Sequence, residues 1–264
     1  MELNKIYCEN CLDTMSRMPD GFIDLTVTSP PYDNLRDYKG YSFPFQDIAK
    51  ELFRVTKQGG VVVWVVGDAM INRSETGTSF KQALYFMECG FKLHDTMIYE
   101  KNGCAMPTNV RYLASFEYMF VFSKETPISF NPIIDRKNRF TERWGKGRVV
   151  RKQDGTLSPR GNYKANEYGM RFNVWRYNNG FGYGSKDEIT FQHPATFPEQ
   201  LAADHIYSWS NEGDLIYDPF MGSGTTAKMA HILKRNWIGS EISKEYVDLA
   251  NKRIDPYLKQ TTLF

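Results

Sequence analysis

Residues 29–32, Ser29-Pro30-Pro31-Tyr32, set a hydroxyl, two residues without a backbone N–H and an aromatic ring in one short run after the apolar stretch 23–28. Two prolines stop a strand abruptly and hold the chain after it in a rigid, extended turn. Taken alone, such a run also suits a plain turn with a packed tyrosine. A second run, Asp218-Pro219-Phe220-Met221-Gly222-Ser223-Gly224-Thr225-Thr226, falls between a short strand at 215–217 and a helix. Glycines let a backbone come close to a ligand, and a glycine loop in that place is the arrangement of a nucleotide-type site at the carboxyl end of a parallel strand. The loop is not G-x-x-x-x-G-K-[ST], so the lysine that a phosphate-gripping loop needs is missing. Glu241, 19 residues past Gly222, ends the next strand, where a carboxylate can accept both hydroxyls of a ribose. A ribose-bearing ligand without a dominant phosphate site suits S-adenosylmethionine. On the loop alone a dinucleotide fits as well, and so does a tight turn for helix packing.

The elements that must position these runs alternate along the chain. Residues 23–28 read as a strand. Phe45, Ile48, Ala49, Leu52 and Phe53 recur at helical spacing and predict an amphipathic helix over 44–57, ended by Gly59-Gly60. The run Val61 to Val66 suits a central strand covered on both faces. Phe80, Ala83, Leu84 and Met87 mark a further helix with Gly90 as its C-terminal cap. Strands follow at 91–99 and 117–122. Past residue 191 come strands at 215–217 and 237–241 and a last helix over 244–253, N-capped by Ser243 and packed through Tyr246, Leu249 and Ala250. The alternation argues for an α/β fold with a mostly parallel sheet.

Between 131 and 186 the periodicity fades. That segment holds 13 Lys and Arg against 4 Asp and Glu, a net +9, so the rest of the 264-residue chain carries −7 of the overall +2. Trp144, Tyr163, Tyr168, Trp175, Tyr177 and Tyr183 lie within it. A basic, aromatic-bearing insertion in an α/β protein is a nucleic-acid footprint, and the aromatic residues argue against a solvated, disordered loop. The division expected is 1–130, 131–190 as the basic insertion, and 191–264. Apolar residues make up 41 % of the chain, enough for a sizeable core. No apolar run approaches 18 residues, so no membrane span is expected, and the first ten residues lack a secretory stretch. Cys8 and Cys11 form a lone C-x2-C that Cys89 and Cys104 do not complete as a zinc site, so no metal is expected and the thiols read as reduced cytoplasmic cysteines.

"TSPPY" at 28–32, followed far downstream by "DPFMGSGTT" at 218–226, resembles the amino-methylating DNA methyltransferases. These carry a (D/N/S)-P-P-(Y/F/W) catalytic motif and an F-x-G-x-G cofactor loop. They move a methyl group from S-adenosylmethionine to the exocyclic N4 amine of cytosine or N6 amine of adenine. The order of the motifs, with a basic segment between, is similar to that of the β group, and the resemblance covers nearly the whole chain. It implies a Rossmann-like S-adenosylmethionine-dependent methyltransferase fold, circularly permuted, with a mostly parallel seven-stranded sheet and an inserted target-recognition region.

The resemblance also implies roles. Ser29, Pro30, Pro31 and Tyr32 would be catalytic. Asn10 and Cys11 in "KIYCENCLDTM" and His193 and Pro194 in "HPATFPEQLA" would bind cofactor, with Asp218, Pro219, Phe220, Gly222, Ser223, Gly224, Thr225 and Glu241. Arg143, Lys146, Arg148, Arg151 and Lys152 would hold DNA. Asn10 stands where the family often has an aspartate, and Phe197 where many members have a lysine. Beginning the motif with Ser29 is more typical of N4-cytosine enzymes. Double-stranded DNA is the expected partner, a restriction endonuclease and a second copy of the chain are compatible ones, and the cytoplasm is the expected location. The same chemistry on adenine or on RNA, a catalytically silent nucleic-acid binder and a nucleotide-dependent oxidoreductase are the competing readings; the last gives no account of residues 29–32.

Overall fold

The computed structural model describes residues 1–31, 43–103, 111–139, 149–159, 166–178, 184–185, 187 and 198–259. The elements run β1 (Lys5–Cys8), α1 (Cys11–Ser16), β2 (Ile23–Thr28), α2 (Phe45–Val55), β3 (Thr56–Val66), β4 (Met70–Ile71), β5 (Ser74–Glu75), α3 (Thr78–Glu88), β6 (Lys92–Lys101) and β7 (Phe116–Ser123). They continue with β8 (Arg136–Lys137), β9 (Val149–Arg151), β10 (Leu157–Pro159), β11 (Tyr168–Gly169), β12 (Val174–Tyr177), α4 (Glu199–Trp209), β13 (Leu215–Asp218), α5 (Thr225–Ile232), β14 (Asn236–Glu241) and α6 (Lys244–Lys259).

Eight strands join in one sheet in the order β1-β14-β13-β2-β3-β7-β6-β12. All neighbours are parallel except at β7, which runs against both β3 and β6. The sheet is therefore mostly parallel, as the alternation predicts, with one strand more than the seven expected. The extra strand is β12, whose Trp175 and Tyr177 are buried while Val174 and Arg176 are exposed. Its residues fall inside the segment expected to be insertion.

Two compact units result. One comprises Met1–Asn131 with Asn173–Phe264; the other is Pro132–Phe172. The smaller unit lies within the expected 131–190 segment, of which Val174–Tyr177 pair with β6 in the large sheet. Within the smaller unit, β8 pairs with β11 and β9 with β10, both antiparallel. Arg136 stacks on the ring of Phe172, 4.5 Å from its centroid, and Phe172 stays exposed.

Burial explains the central strands. Val61 to Val66 are at most 1 % exposed, as a strand with neighbours on both sides and layers on both faces requires. Met15 of α1, Ile48 and Leu52 of α2 and Phe86 of α3 close one core cluster over Val62, Trp64 and Phe122. Helices α4, α5 and α6 pack on one another and on β2, β13 and β14. Buried in α4, His205 lies 4.6 Å from the Trp175 ring centroid, and its Nε2 sits 3.2 Å from Met119 Sδ. Burial pushes its pKa down to about 3, so it is neutral in the folded protein.

One local expectation is corrected, and the helix expected around Phe80 to Met87 forms as α3. Gly59-Gly60 does not end α2; the helix stops at Val55 and both glycines belong to β3, where Gly59 takes φ +78°. In α3 the buried face is Ser79, Gln82, Ala83 and Phe86, while Phe80, Leu84 and Met87 are exposed. Gln82 goes inward because its Oε1 accepts the Trp64 indole N–H at 2.8 Å. Among the described residues no helix is long and apolar enough to cross a membrane.

Candidate active site

The chain reverses its direction of travel across the sheet between β13 and β2. From β13 it passes through α5 to β14 on one side, and from β2 through α2 to β3 on the other. In an open α/β sheet the crevice outside the carboxyl ends of the strands at such a point is where ligands bind. Both sequence runs sit there. Ser29-Pro30-Pro31 follows β2, with Pro30 buried and Ser29 and Pro31 half-buried, and the glycine loop follows β13. Tyr32, His193, Pro194, Arg143, Lys146 and Arg148 lie outside the described residues.

The loop owes its path to residues on three elements. Gly222 and Gly224 take φ +51° and +81°, a backbone region closed to most side chains. The Met221 N–H donates to the Ser240 carbonyl at 2.9 Å, which ties the loop to β14. A Cβ on Gly239 would collide with the Met221 side chain, so that glycine makes room for the loop. Phe220 is half-buried, its ring edge-on to Phe43 with centroids 5.6 Å apart. Pro219 is buried ahead of it.

Glu241 ends β14 with both carboxylate oxygens engaged. Oε2 accepts the Gly222 N–H at 3.0 Å and Oε1 accepts the Ser243 N–H at 2.9 Å. Burial raises its pKa, while those N–H groups pull the other way. Each carboxylate oxygen can take two donors, so a lone pair on each remains. A carboxylate beside a glycine loop can accept both hydroxyls of a ribose diol. Asn10 and Cys11 follow β1, the neighbour of β14, where Cys8 pairs with Glu241. The Asn10 side chain accepts the Leu12 N–H at 2.9 Å and so caps α1, and Cys11 is buried in the core beneath it.

Three of the predicted loop residues are engaged by hydrogen bonds within the protein. Asp218 is 1 % exposed and takes three hydrogen bonds, from Thr28 Oγ1 at 2.6 Å, Thr226 Oγ1 at 2.7 Å and the Phe220 N–H at 3.0 Å. Burial lifts its pKa to about 6 against those bonds. The hydroxyls of Ser223 and Thr225 lie 3.2 and 3.0 Å from the Arg253 guanidinium, which also donates to the Ser223 carbonyl at 2.9 Å. These contacts tie the loop to α6.

Arg253 belongs to a buried charge cluster that the motifs do not reveal. Its Nε and the Lys228 ammonium both reach Asp187, at 2.8 and 2.7 Å, and both side chains reach Glu199, at 2.5 and 2.9 Å. Ser185 donates to Glu199 and Tyr257 to Asp187. The cluster ties the loop to α4, α5, α6, Ser185 and Asp187. The available signal was a cation within an apolar stripe: Arg253 is four residues from Leu249, and Lys228 lies between Ala227 and Ala230.

Of the described DNA-binding candidates, Arg151 ends β9 and Lys152 follows it; both are exposed on the smaller unit.

Residues 23–252 match a family model described as "DNA methylase", for N6 and N4 methyltransferases. The orphan methyltransferase M.BamHII of Bacillus amyloliquefaciens is 58 % identical over 245 residues, 90 % of this chain and 91 % of that protein. Among solved structures, the cytosine-N4-specific PvuII DNA methyltransferase superposes with a TM-score of 0.67 at 20 % identity, over 97 % of this chain and 91 % of that one. M1.HpyAVI in complex with SAM gives 0.58 at 23 % identity, over 94 % and 98 %. At those identities the two structures speak for the fold.

Proposed function

The chain belongs to the N6/N4 DNA methylase family, and from that premise we propose that it moves a methyl group from S-adenosylmethionine to the N4 amine of cytosine in a flipped-out base. The observation that carries the reading is the meeting of Ser29-Pro30-Pro31 and the glycine loop at the carboxyl ends of β2 and β13. The N6/N4 methylase family and the SAM complex of the similarly folded HpyAVI enzyme support the cofactor, and the Ser29 start of the motif favours cytosine N4.

Glu241 would accept the ribose hydroxyls through its remaining lone pairs, and the backbone of Phe220 to Gly222 would line the cofactor. Bound there, S-adenosylmethionine supplies an electrophilic methyl group on a sulfonium. An exocyclic amine is a poor nucleophile because its lone pair is delocalised into the ring. The Ser29 hydroxyl and the Pro30 carbonyl would accept its two N–H groups and localise that pair. The two prolines hold the carbonyl in place, so little reorganisation accompanies the positive charge developing on the amine. Tyr32 would stack on the base, which must leave the duplex to be reached.

The test is direct. The purified protein is incubated with S-adenosylmethionine and unmethylated genomic DNA, and the DNA is digested to nucleosides and weighed. N4-methylcytosine is expected. N6-methyladenine would keep the mechanism and overturn the choice of base, and no methylated base with cofactor bound would sink the reading.

DNA binding is assigned to the basic insertion. Bonds to phosphates there would set position and a few side chains would read base edges. Neutralising Arg143, Lys146, Arg148, Arg151 and Lys152 together is expected to weaken DNA binding. Its salt dependence should flatten by about 0.9 in log–log slope for each phosphate no longer neutralised. An unchanged slope in a titration from low to high salt would place the DNA elsewhere. The M.BamHII name, an orphan methyltransferase, supports a solitary enzyme over one paired with a restriction endonuclease.

A further inference from the structure

We infer that Thr28, Asp218 and Thr226 form a buried clasp across the floor of the crevice, and that Thr28 and Asp218 are positioning residues for methyl transfer rather than cofactor ligands. The inference rests on the function proposed above and adds to it what sets the distance between the two loops.

The sheet shows why a clasp is needed. Strands β2 and β13 pair only at Leu25 with Ile216 and at Thr26 with Tyr217. Each then continues with its outer neighbour, β2 alongside β3 to Thr28 opposite Trp64, and β13 alongside β14 to Asp218 opposite Gly239. The two strands therefore part at their carboxyl ends, where Ser29 and the glycine loop begin. A ladder of backbone bonds no longer fixes their separation.

Side chains take over at that point. Thr28 is the residue before Ser29, and its hydroxyl donates to Asp218 Oδ1 at 2.6 Å across 190 residues of sequence. Thr226, in the first turn of α5 after the loop, donates to Asp218 Oδ2 at 2.7 Å, and its hydroxyl is 3.2 Å from the Val27 carbonyl oxygen. The Phe220 N–H completes the set on Oδ1 at 3.0 Å. Thr28, Asp218 and Thr226 are each at most 1 % exposed. Thus the strand end that carries the catalytic motif and both sides of the cofactor loop share one carboxylate.

A buried carboxylate is costly even when fully bonded. Apolar packing would hold two strand ends together at lower cost, but it has no direction. Hydrogen bonds to a planar carboxylate fix both distance and angle. Methyl transfer needs that precision, because the amine and the methyl group must meet in line, and a misplacement of about 1 Å can lower a rate about 100-fold.

Thr28→Val replaces the hydroxyl with a methyl group of nearly the same size. Rates are measured in a single turnover on DNA and expressed per cofactor-binding site, so that any unfolded fraction does not register. The rate is expected to fall about 10-fold or more, with the dissociation constant for S-adenosylmethionine within about 3-fold of the parent, as for a residue that touches no ligand. Thr28→Ser, which restores the hydroxyl, should recover most of the rate, and Asp218→Asn should reproduce the loss. A Thr28→Val rate close to the parent's overturns the clasp alone. A loss of rate matched by an equal loss of cofactor affinity also overturns it, since the network would then serve the cofactor pocket. A parent protein that transfers no methyl group to any base sinks the proposed function and the clasp with it.

Discussion

Ser29→Ala is expected to lower methyl transfer by about 100-fold or more, the effect of deleting one preorganised hydrogen-bonding group at a reacting centre. The affinity for S-adenosylmethionine is expected to stay unchanged. The separation follows from the fold. Ser29 follows β2, whereas Glu241, the carboxylate proposed for the ribose, ends β14, with β13 between them. The hydroxyl can act on the base without touching the far end of the cofactor. The loss should fall on the rate constant in a single turnover, because the bond to the amine strengthens as charge develops and so favours the transition state over the bound substrate. A turnover within about 3-fold of the parent, well short of such a group's worth, would remove Ser29 from the mechanism. Ser29→Asp tests the same idea from the other side. A carboxylate keeps an acceptor at that place and should retain transfer where alanine does not.

Much of this was legible from the residues because strand ends and glycine loops have local signatures. The strand predicted at 23–28 coincides with β2, and the run Val61 to Val66 forms the buried part of β3. The places where sequence reasoning fell short are those decided by partners far along the chain. Phe80, Leu84 and Met87 have helical spacing, but the inward face of α3 was chosen by Gln82, whose partner is the Trp64 indole. Val174–Tyr177 sits in a basic, glycine- and asparagine-rich context, and only its parallel pairing with Ile98–Lys101 makes it a strand.

The site divides in the same way. A glycine loop followed 19 residues later by an acid can be read off a string of letters, since both lie at the ends of neighbouring strands. Which side chains the polar residues of the loop are bonded to cannot. Asp218, Ser223 and Thr225 are bonded to Thr28 and Arg253, partners that lie 190 and about 30 residues away. Buried polar groups must find partners wherever the fold supplies them, and the family motif records only that the residue is polar.

The buried charge cluster supports the second large effect. Arg253 and Lys228 face Asp187 and Glu199, two cations against two anions. Arg253→Met fills a similar volume and leaves Lys228 alone with both carboxylates. Removing one partner from a buried ion-pair network costs about 3–5 kcal/mol, a large part of a stability of about 5–15 kcal/mol. The pH dependence gives the cause a signature. For Asp187 and Glu199, burial alone would raise the pKa, but the bonds from Lys228, Arg253 and Ser185 outweigh it and hold both carboxyls below their ordinary 3.8 and 4.5. A carboxylate depressed in the folded state contributes stability above its unfolded pKa and loses it as pH falls through the folded value. In the variant the excess negative charge raises those pKa values, so protonation relieves the strain instead. The gap between parent and Arg253→Met is therefore widest near neutral pH and narrows as pH falls below about 5, in the range where unfolded carboxyls titrate. His205, neutral when folded and protonated when unfolded below its ordinary 6.5, lowers stability on acidification in both proteins alike and cancels from the difference. Urea melts of the two proteins at pH 7 and at about pH 3, below the unfolded carboxyl pKa values, measure the gap. One that stays constant between those pH values would assign the loss to packing of the arginine stem and take the charge cluster out of the account.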